Sequence, residues 1–198
     1  MTRIAVLGNG RVGGSLAQAL TRAGHEVTVA DRSPGTAAEA ARTAEVVVNA
    51  TPGAGSLERL TALREELRGK ILVDVSNATV DGPDGLPTAL LHPGSSLGEL
   101  LQEALPDTYV VKTLNTMLFT VMTAPASLVQ APTVFLSGED AEAKKVVRGL
   151  LADLGWQERW MTDLGGIETA RATEAAILFV PHVIRADGFA PFAVSIAR

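Results

Sequence analysis

Residues 4–7, Ile-Ala-Val-Leu, run directly into Gly8-Asn9-Gly10-Arg11-Val12-Gly13, after which Val12, Leu16 and Leu20, with Ala19 and Ala23, repeat at helical spacing as far as Gly24. A short apolar strand, a glycine turn and an amphipathic helix in that order restrict the fold more than any other feature of the chain. A strand that feeds a helix returns to its sheet through a crossover, and crossovers join parallel strands. The helix is expected to end at Gly24, a residue suited to the C′ position.

The alternation continues. Residues 27–30 and 46–48 read as the second and third strands, separated by an Ala-rich segment over 36–43. Leu57, Leu60 and Leu67 mark a further helix closed by Gly69, and residues 71–75 form the fourth strand. Residues 77–93 are rich in Gly, Pro and Asp and read as a long surface connection. Ser96 with Glu99 has the spacing of a capping box for a helix carrying Leu97, Leu100 and Leu101. Strands are expected over 109–114 and 133–136, and Ser137 with Asp140 opens a helix that ends at Gly155. From Gly165 on the chain reads as helical and apolar, broken or kinked at Pro181. The pattern predicts an α/β fold, a doubly wound and largely parallel sheet with helices on both faces. Residues 1–163 are assigned to a dinucleotide-binding domain and 164–198 to a short C-terminal helical segment packed on it.

Composition excludes several function classes. The 198 residues, 46% hydrophobic with mean hydropathy +0.22, suffice for one sizeable core. A formal charge of −5 and a pI near 5.2 give no basic footprint for nucleic acid. With no cysteine there is no disulfide framework, thiolate nucleophile or Cys-based metal site, and no metal centre is expected. No run is long enough to span a membrane, the longest apolar stretch being residues 175–180, and the N-terminus lacks a signal-type flank, so a cytoplasmic location is expected.

The glycine turn carries the first chemistry. Its glycines allow a tight turn, a close approach of backbone to a pyrophosphate and close packing of helix on strand, while the helix N-terminus offers N–H groups to the anion. Gly8, Asn9, Gly10, Arg11, Val12 and Gly13 are therefore assigned to a dinucleotide. Asp31 ends the next strand at the distance where a carboxylate meets a ribose 2′-hydroxyl. Arg32 and Ser33 follow it at once and suit a 2′-phosphate. Asp31 argues for NAD(H) and Arg32 with Ser33 for NADP(H), and the residues alone leave the choice open.

The stretch Val110-Val111-Lys112-Thr113-Leu114-Asn115-Thr116-Met117 begins as a buried strand and ends in short polar side chains. Together with the N-terminal turn, Asn49-Ala50-Thr51-Pro52, Asp74-Val75-Ser76-Asn77, and the passage from Val134 through Gly138-Glu139-Asp140 to Leu154-Gly155-Trp156, it resembles the NADP oxidoreductase family that includes reductases of the deazaflavin coenzyme F420. The resemblance runs over nearly the whole chain and implies a Rossmann-type doubly wound sheet. It implies hydride transfer between NADP(H), or NAD(H), and coenzyme F420 or a similar small-molecule acceptor. Asn115, Thr116 and Met117 would border the place where the two rings meet. Ala50, Thr51, Pro52, Ser76 and Asn77 would line the approach of the nicotinamide ribose.

Such chemistry needs two flat rings held in contact and no dedicated catalytic side chain, so none is assigned. His25, His92 and His182 are each read as structural or solvated. Lys112 is read first as the partner of a carboxylate such as Asp74. As a buried proton donor it would instead suit a carbonyl or imine reductase. Arg171 and Glu174, three residues apart, read as an intrahelical pair before a gate over the nicotinamide. A redox sensor that binds NADP(H) without turnover is the remaining alternative. The apolar tail around Phe179, Val180, Val183, Ile184, Phe189, Phe192 and Val194 needs a cover, which suggests a homodimer.

Overall fold

A computed structural model describes residues 1–31 and 35–197. The chain opens with β1 (Arg3–Leu7), α1 (Arg11–Arg22), β2 (Glu26–Ala30), α2 (Thr36–Thr43) and β3 (Val46–Asn49). Two short helices, α3 (Ser56–Thr61) and α4 (Arg64–Leu67), lead to β4 (Ile71–Asp74), a hairpin of β5 (Thr79–Asp81) and β6 (Pro87–Leu90), and α5 (Leu97–Ala104). Then come β7 (Tyr109–Thr113), α6 (Phe119–Met122), β8 (Val134–Ser137), α7 (Ala141–Asp153), β9 (Met161–Asp163), α8 (Ala170–Ala175) and α9 (Val180–Asp187).

The main sheet has seven strands in the order β2-β1-β3-β4-β7-β8-β9. All its pairings are parallel except β7 with β8. β1, β3, β4 and β7 are almost wholly buried because helices cover both faces, which is why their sequences are continuous Val/Ile/Leu runs instead of alternating ones. The core divides accordingly. On one face Leu16 and Leu20 of α1 and Val147, Leu150 and Leu151 of α7 pack against Ile4, Val6, Val48, Val73 and Val111. On the other, Ala40 and Ala41 of α2, Leu60, Leu67 and Leu97 pack against Ala5, Leu7, Val47 and Leu72. This is the doubly wound, Rossmann-type arrangement.

Five features depart from expectation. The helix expected from Leu57 to Leu67 is two, because the chain turns at Ala62-Leu63. The connection over 77–93 contains the β5–β6 hairpin, closed by the Gly85 N–H to the Gly82 carbonyl and by the Leu86 N–H to Asp84 Oδ1. β9 was not expected at all and extends the sheet beyond β8. The terminal segment is helical only to Asp187; beyond Gly188 the chain comes back extended, with Val194 N–H bonded to the Thr116 carbonyl and Leu118 N–H to that of Phe192. Pro181 does not break a continuous helix but sits in the first turn of α9, after a 3₁₀ turn over Ala176–Phe179.

The smaller expectations of capping are met in part. Ser96 caps α5 by accepting the Glu99 N–H, but Glu99 returns its carboxylate to the Ser96 hydroxyl instead of the Ser96 backbone N–H. Asp140 caps α7 by accepting the Ala143 N–H. His25 is structural: its ring accepts the Thr2 N–H and meets Asp153 at 3.0 Å.

Candidate active site

In a parallel sheet every strand delivers its C-terminal end to the same edge. The crossovers from β1 and β2 place β2 on one side of β1 and β3 on the other, and a crevice opens where the winding reverses. Gly8, Asp31, Ala50 with Thr51, Ser76 with Asn77, and Asn115 all follow directly from strands β1, β2, β3, β4 and β7 at that edge. Arg32 and Ser33 lie outside the described residues.

The glycine turn is held by its own sterics. Gly8 has φ +105°, a left-handed conformation that favours glycine, and its N–H bonds the Ala30 carbonyl at 3.1 Å. A Cβ on Gly13 would lie 1.9 Å from the Gly8 carbonyl oxygen, so helix α1 can approach β1 this closely only through glycine. At Gly10 the opposite holds, since a Cβ there would find no atom within 4 Å. No side chain caps α1, and its first turn has no acidic residue. That leaves open space and helix N–H groups for an anion, which fits a pyrophosphate. The Arg11 guanidinium lies over the ring of Phe119, 5.5 Å from its centroid. Asp31 Oδ1 accepts the Thr36 hydroxyl at 3.0 Å on the exposed side of the crevice.

The floor of the crevice is a hydrogen-bonded network. Asn49, fully buried at the end of β3, donates from Nδ2 to Asp74 Oδ1 at 2.8 Å and to Ser56 Oγ at 3.1 Å. Its Oδ1 accepts the Thr51 hydroxyl at 2.6 Å and the Thr51 N–H at 3.2 Å. Arg59 folds back from α3 over this loop to the Thr51 hydroxyl and the Pro52 carbonyl. At the next strand end, Asn77 and Asn115 exchange hydrogen bonds of 2.9 and 3.0 Å. Between β7 and Asn115 stands Leu114, the single described non-glycine residue with positive φ, at +61°. A strained residue of this kind costs on the order of 1–3 kcal/mol and is held by its surroundings. Thr116 and Met117 are buried, and Met117 pairs with Ala193 of the returning tail.

Lys112 is wholly buried and bonds Asp74 Oδ2 at 2.7 Å, the carboxylate partner expected for it, and Glu174 Oε1 at 2.9 Å. Burial works to lower its pKa, but the charges and hydrogen bonds of Asp74 and Glu174 outweigh burial and hold it above the ordinary lysine value. Arg171 and Glu174 do not pair with each other. Arg171 makes a two-pronged contact with Glu99 at 2.5 and 2.7 Å, while Glu174 turns inward to Lys112 and to the N–H groups of Leu97 and Gly98. Tertiary partners for both residues were available and displaced the weaker i,i+3 contact.

Asn49, Asp74 and Glu174 were not assigned to the site from sequence. Asn49 and Asp74 did carry a signal, being polar residues that close otherwise apolar runs. Among the described residues no group of three or more His, Asp or Glu is arranged for a metal ion, and no helix is long and apolar enough to cross a membrane.

Residues 3–52, which span β1 through the end of β3, match the family model of NADP oxidoreductase, coenzyme F420-dependent. A solved structure of a candidate F420-dependent NADP-reductase from Arthrobacter sp. FB24 is 40% identical, with TM-score 0.90 and full coverage of both chains. An F420-dependent NADP reductase of Methanocaldococcus jannaschii is 30% identical over 138 residues, 69% of this chain and 60% of that protein. The metalloreductase STEAP3 of Rattus norvegicus is 29% identical over 187 residues, 87% of this chain and 36% of that protein. The chain thus spans less than two thirds of either of these longer relatives. With full-length similarity to the Arthrobacter structure and the strand ends described above, the chain belongs to the coenzyme F420-dependent NADP oxidoreductase family.

Proposed function

We propose that this protein transfers hydride between NADP(H) and a deazaflavin of the F420 type. The observation that carries the reading is the convergence of Gly8–Gly13, Thr51, Ser76 with Asn77, and Asn115 on one edge of the sheet, around an uncapped helix N-terminus with room for an anion. The names of the Arthrobacter and Methanocaldococcus relatives support the same pairing of substrates.

When bound, NADPH supplies a hydride, and the deazaflavin takes it together with one proton. The chain contributes placement. The N–H groups at the start of α1 would hold the pyrophosphate, with Asn9 and Arg11 beside it. Asp31 would meet the adenosine ribose, and Arg32 and Ser33, outside the described residues, are the sequence candidates for its phosphate. Ala50, Thr51 and Pro52, with Ser76 and Asn77, would hold the nicotinamide ribose, and Asn115, Thr116 and Met117 would border the ring. A fixed arrangement of this kind would accelerate hydride transfer through proximity and orientation. Lys112 gives no support to a carbonyl or imine reductase, because its ammonium is saturated by buried acceptors.

The reading takes the protein to work in the cytoplasm as a homodimer. Phe179 and Phe189, 61% and 68% exposed, support an interface on the C-terminal segment, and light-scattering chromatography at monomer mass would reject it. The reaction itself is tested by mixing purified protein with oxidised deazaflavin and NADPH or NADH and following loss of deazaflavin absorbance. Bleaching that is faster with NADPH is expected; binding of NADPH without bleaching would remove this function.

A further inference from the structure

One buried cluster has no part in the chemistry above. The ammonium of Lys112 has three donors, and they go to Asp74 Oδ2 at 2.7 Å, Glu174 Oε1 at 2.9 Å and the Ser76 carbonyl at 2.5 Å. Asp74 gives its other oxygen to Asn49 Nδ2 and to the N–H and hydroxyl of Ser76. Glu174, on α8, accepts the N–H groups of Leu97 and Gly98 at the start of α5. No buried side-chain nitrogen or oxygen among the described residues lacks a partner.

Stability alone does not call for such a cluster, since apolar replacements of buried ion groups are often as stable or more so. Its geometry gives it another use. The peptide bond is planar and trans, so a Ser76 carbonyl drawn inward to Lys112 turns the N–H of Asn77 the opposite way and fixes that peptide plane. Asn77 then meets Asn115, and Asp74 through Asn49 fixes the Thr51 loop. The three loops expected around the nicotinamide are thus tied to one buried ammonium by side-chain hydrogen bonds, while the glycine turn of β1 and α1 reaches it only indirectly, through Ala50, whose N–H bonds the Leu7 carbonyl.

We propose that Lys112, Asp74 and Glu174 form a clamp that sets the nicotinamide end of the site, with Lys112 a positioning residue that keeps its proton throughout. The inference rests on the hydride-transfer reading for its effect on rate. Breaking the clamp disturbs the placement of the ring and leaves the pyrophosphate anchored.

The test compares the full-length wild type with Lys112→Met, Glu174→Gln and the double variant. It measures NADPH affinity, the fluorescence enhancement of bound NADPH, and kcat with the deazaflavin across pH. For Lys112→Met we expect affinity within about threefold of wild type, because anchoring contacts are kept. Its kcat should fall about tenfold or more, as misplacement of reacting groups requires, with weaker fluorescence enhancement and no lost limb of the pH profile. Glu174→Gln, nearly isosteric and the safer variant to fold, should lose about three- to tenfold in kcat. The double variant should match Lys112→Met instead of compounding the two losses, because Glu174 acts through Lys112. Folded variants with wild-type kcat and enhancement but lower melting temperatures would make the cluster scaffold only and overturn the proposal. A lost limb of the pH profile would overturn it too, by making Lys112 a proton donor. A wild type that enhances NADPH fluorescence without reducing the deazaflavin removes the hydride-transfer reading instead, and the fluorescence comparison then decides the clamp alone.

Discussion

Asn77 and Asn115 are joined in both directions: Asn77 donates to the Asn115 carbonyl at 2.9 Å, and Asn115 donates from its side chain to Asn77 Oδ1 at 3.0 Å. The polar residues that end β7 therefore bind the loop of β4 to that of β7 at the edge where the nicotinamide is expected. Replacing Asn115 with Ala leaves Asn77 Oδ1 without its donor, at a cost of about 1–3 kcal/mol. The predicted outcome is a lower urea midpoint and a kcat loss larger than the rise in KM for NADPH. A raised KM with unchanged kcat would show that the pair serves only to bind.

Gly10 and Gly13 are predicted to fail differently. Ala at position 13 places Cβ 1.9 Å from the Gly8 carbonyl and forces α1 off β1, costing about 1–3 kcal/mol. Ala at position 10 meets no atom within 4 Å and should leave the melting temperature unchanged. It fills space proposed for the pyrophosphate, however, and should weaken NADPH binding by about tenfold or more, equivalent to about 1.4 kcal/mol. Calorimetric titration beside thermal melts separates the two, and normal binding by Gly10→Ala would move the anion site elsewhere.

Asn49 is predicted to be the most sensitive polar residue of the floor. Its amide serves Asp74, Ser56 and Thr51, so Asn49→Leu removes the link between the β3 and β4 loops and takes the acceptor from the Thr51 N–H, at about 1–3 kcal/mol for a buried group left unsatisfied. Denaturant unfolding should show the loss even without any dinucleotide present.

Acid sensitivity should trace to Glu99. The hydrogen bond from Arg171 is the largest influence holding its carboxyl below the ordinary value of 4.5, with smaller help from Ser96. A carboxyl whose folded pKa is depressed contributes stability above its unfolded pKa and loses it as pH falls through the folded one. Glu99→Gln should thus be less stable than wild type near neutrality, and the gap should close as pH drops below about 4.5. Urea midpoints at several pH values check this; a gap that persists at acid pH would mean the ion pair contributes nothing.

Sequence made the left half of the sheet legible because its signals are local. The run into Gly8–Gly13 and the apolar strands that end in Asn49 and Asp74 each carry their own evidence within a few residues. Three-residue β9 has no readable period, and the hairpin at 79–90 announced its turn but not strands so short and polar. The tail is apolar enough to read as helix, yet its last residues pair with Met117 and Thr133, partners separated from it by long stretches of chain. For Arg171 and Glu174 the i,i+3 spacing was genuine but weaker than Glu99 and Lys112, which only the folded chain brings within reach. That the residues after β1, β3, β4 and β7 would meet at one sheet edge was legible from the strand pattern; the contacts of Glu174 were not, because they depend on where α8 docks.

The most direct measurement is isotope transfer. NADPH carrying deuterium at the transferable C4 position is incubated with the protein and oxidised deazaflavin in ordinary water, and the reduced deazaflavin is analysed by mass spectrometry and NMR. Direct hydride transfer predicts one deuterium on the deazaflavin ring carbon that accepts hydride. Reduced deazaflavin free of label, or NADPH that binds and is never consumed, would contradict the account.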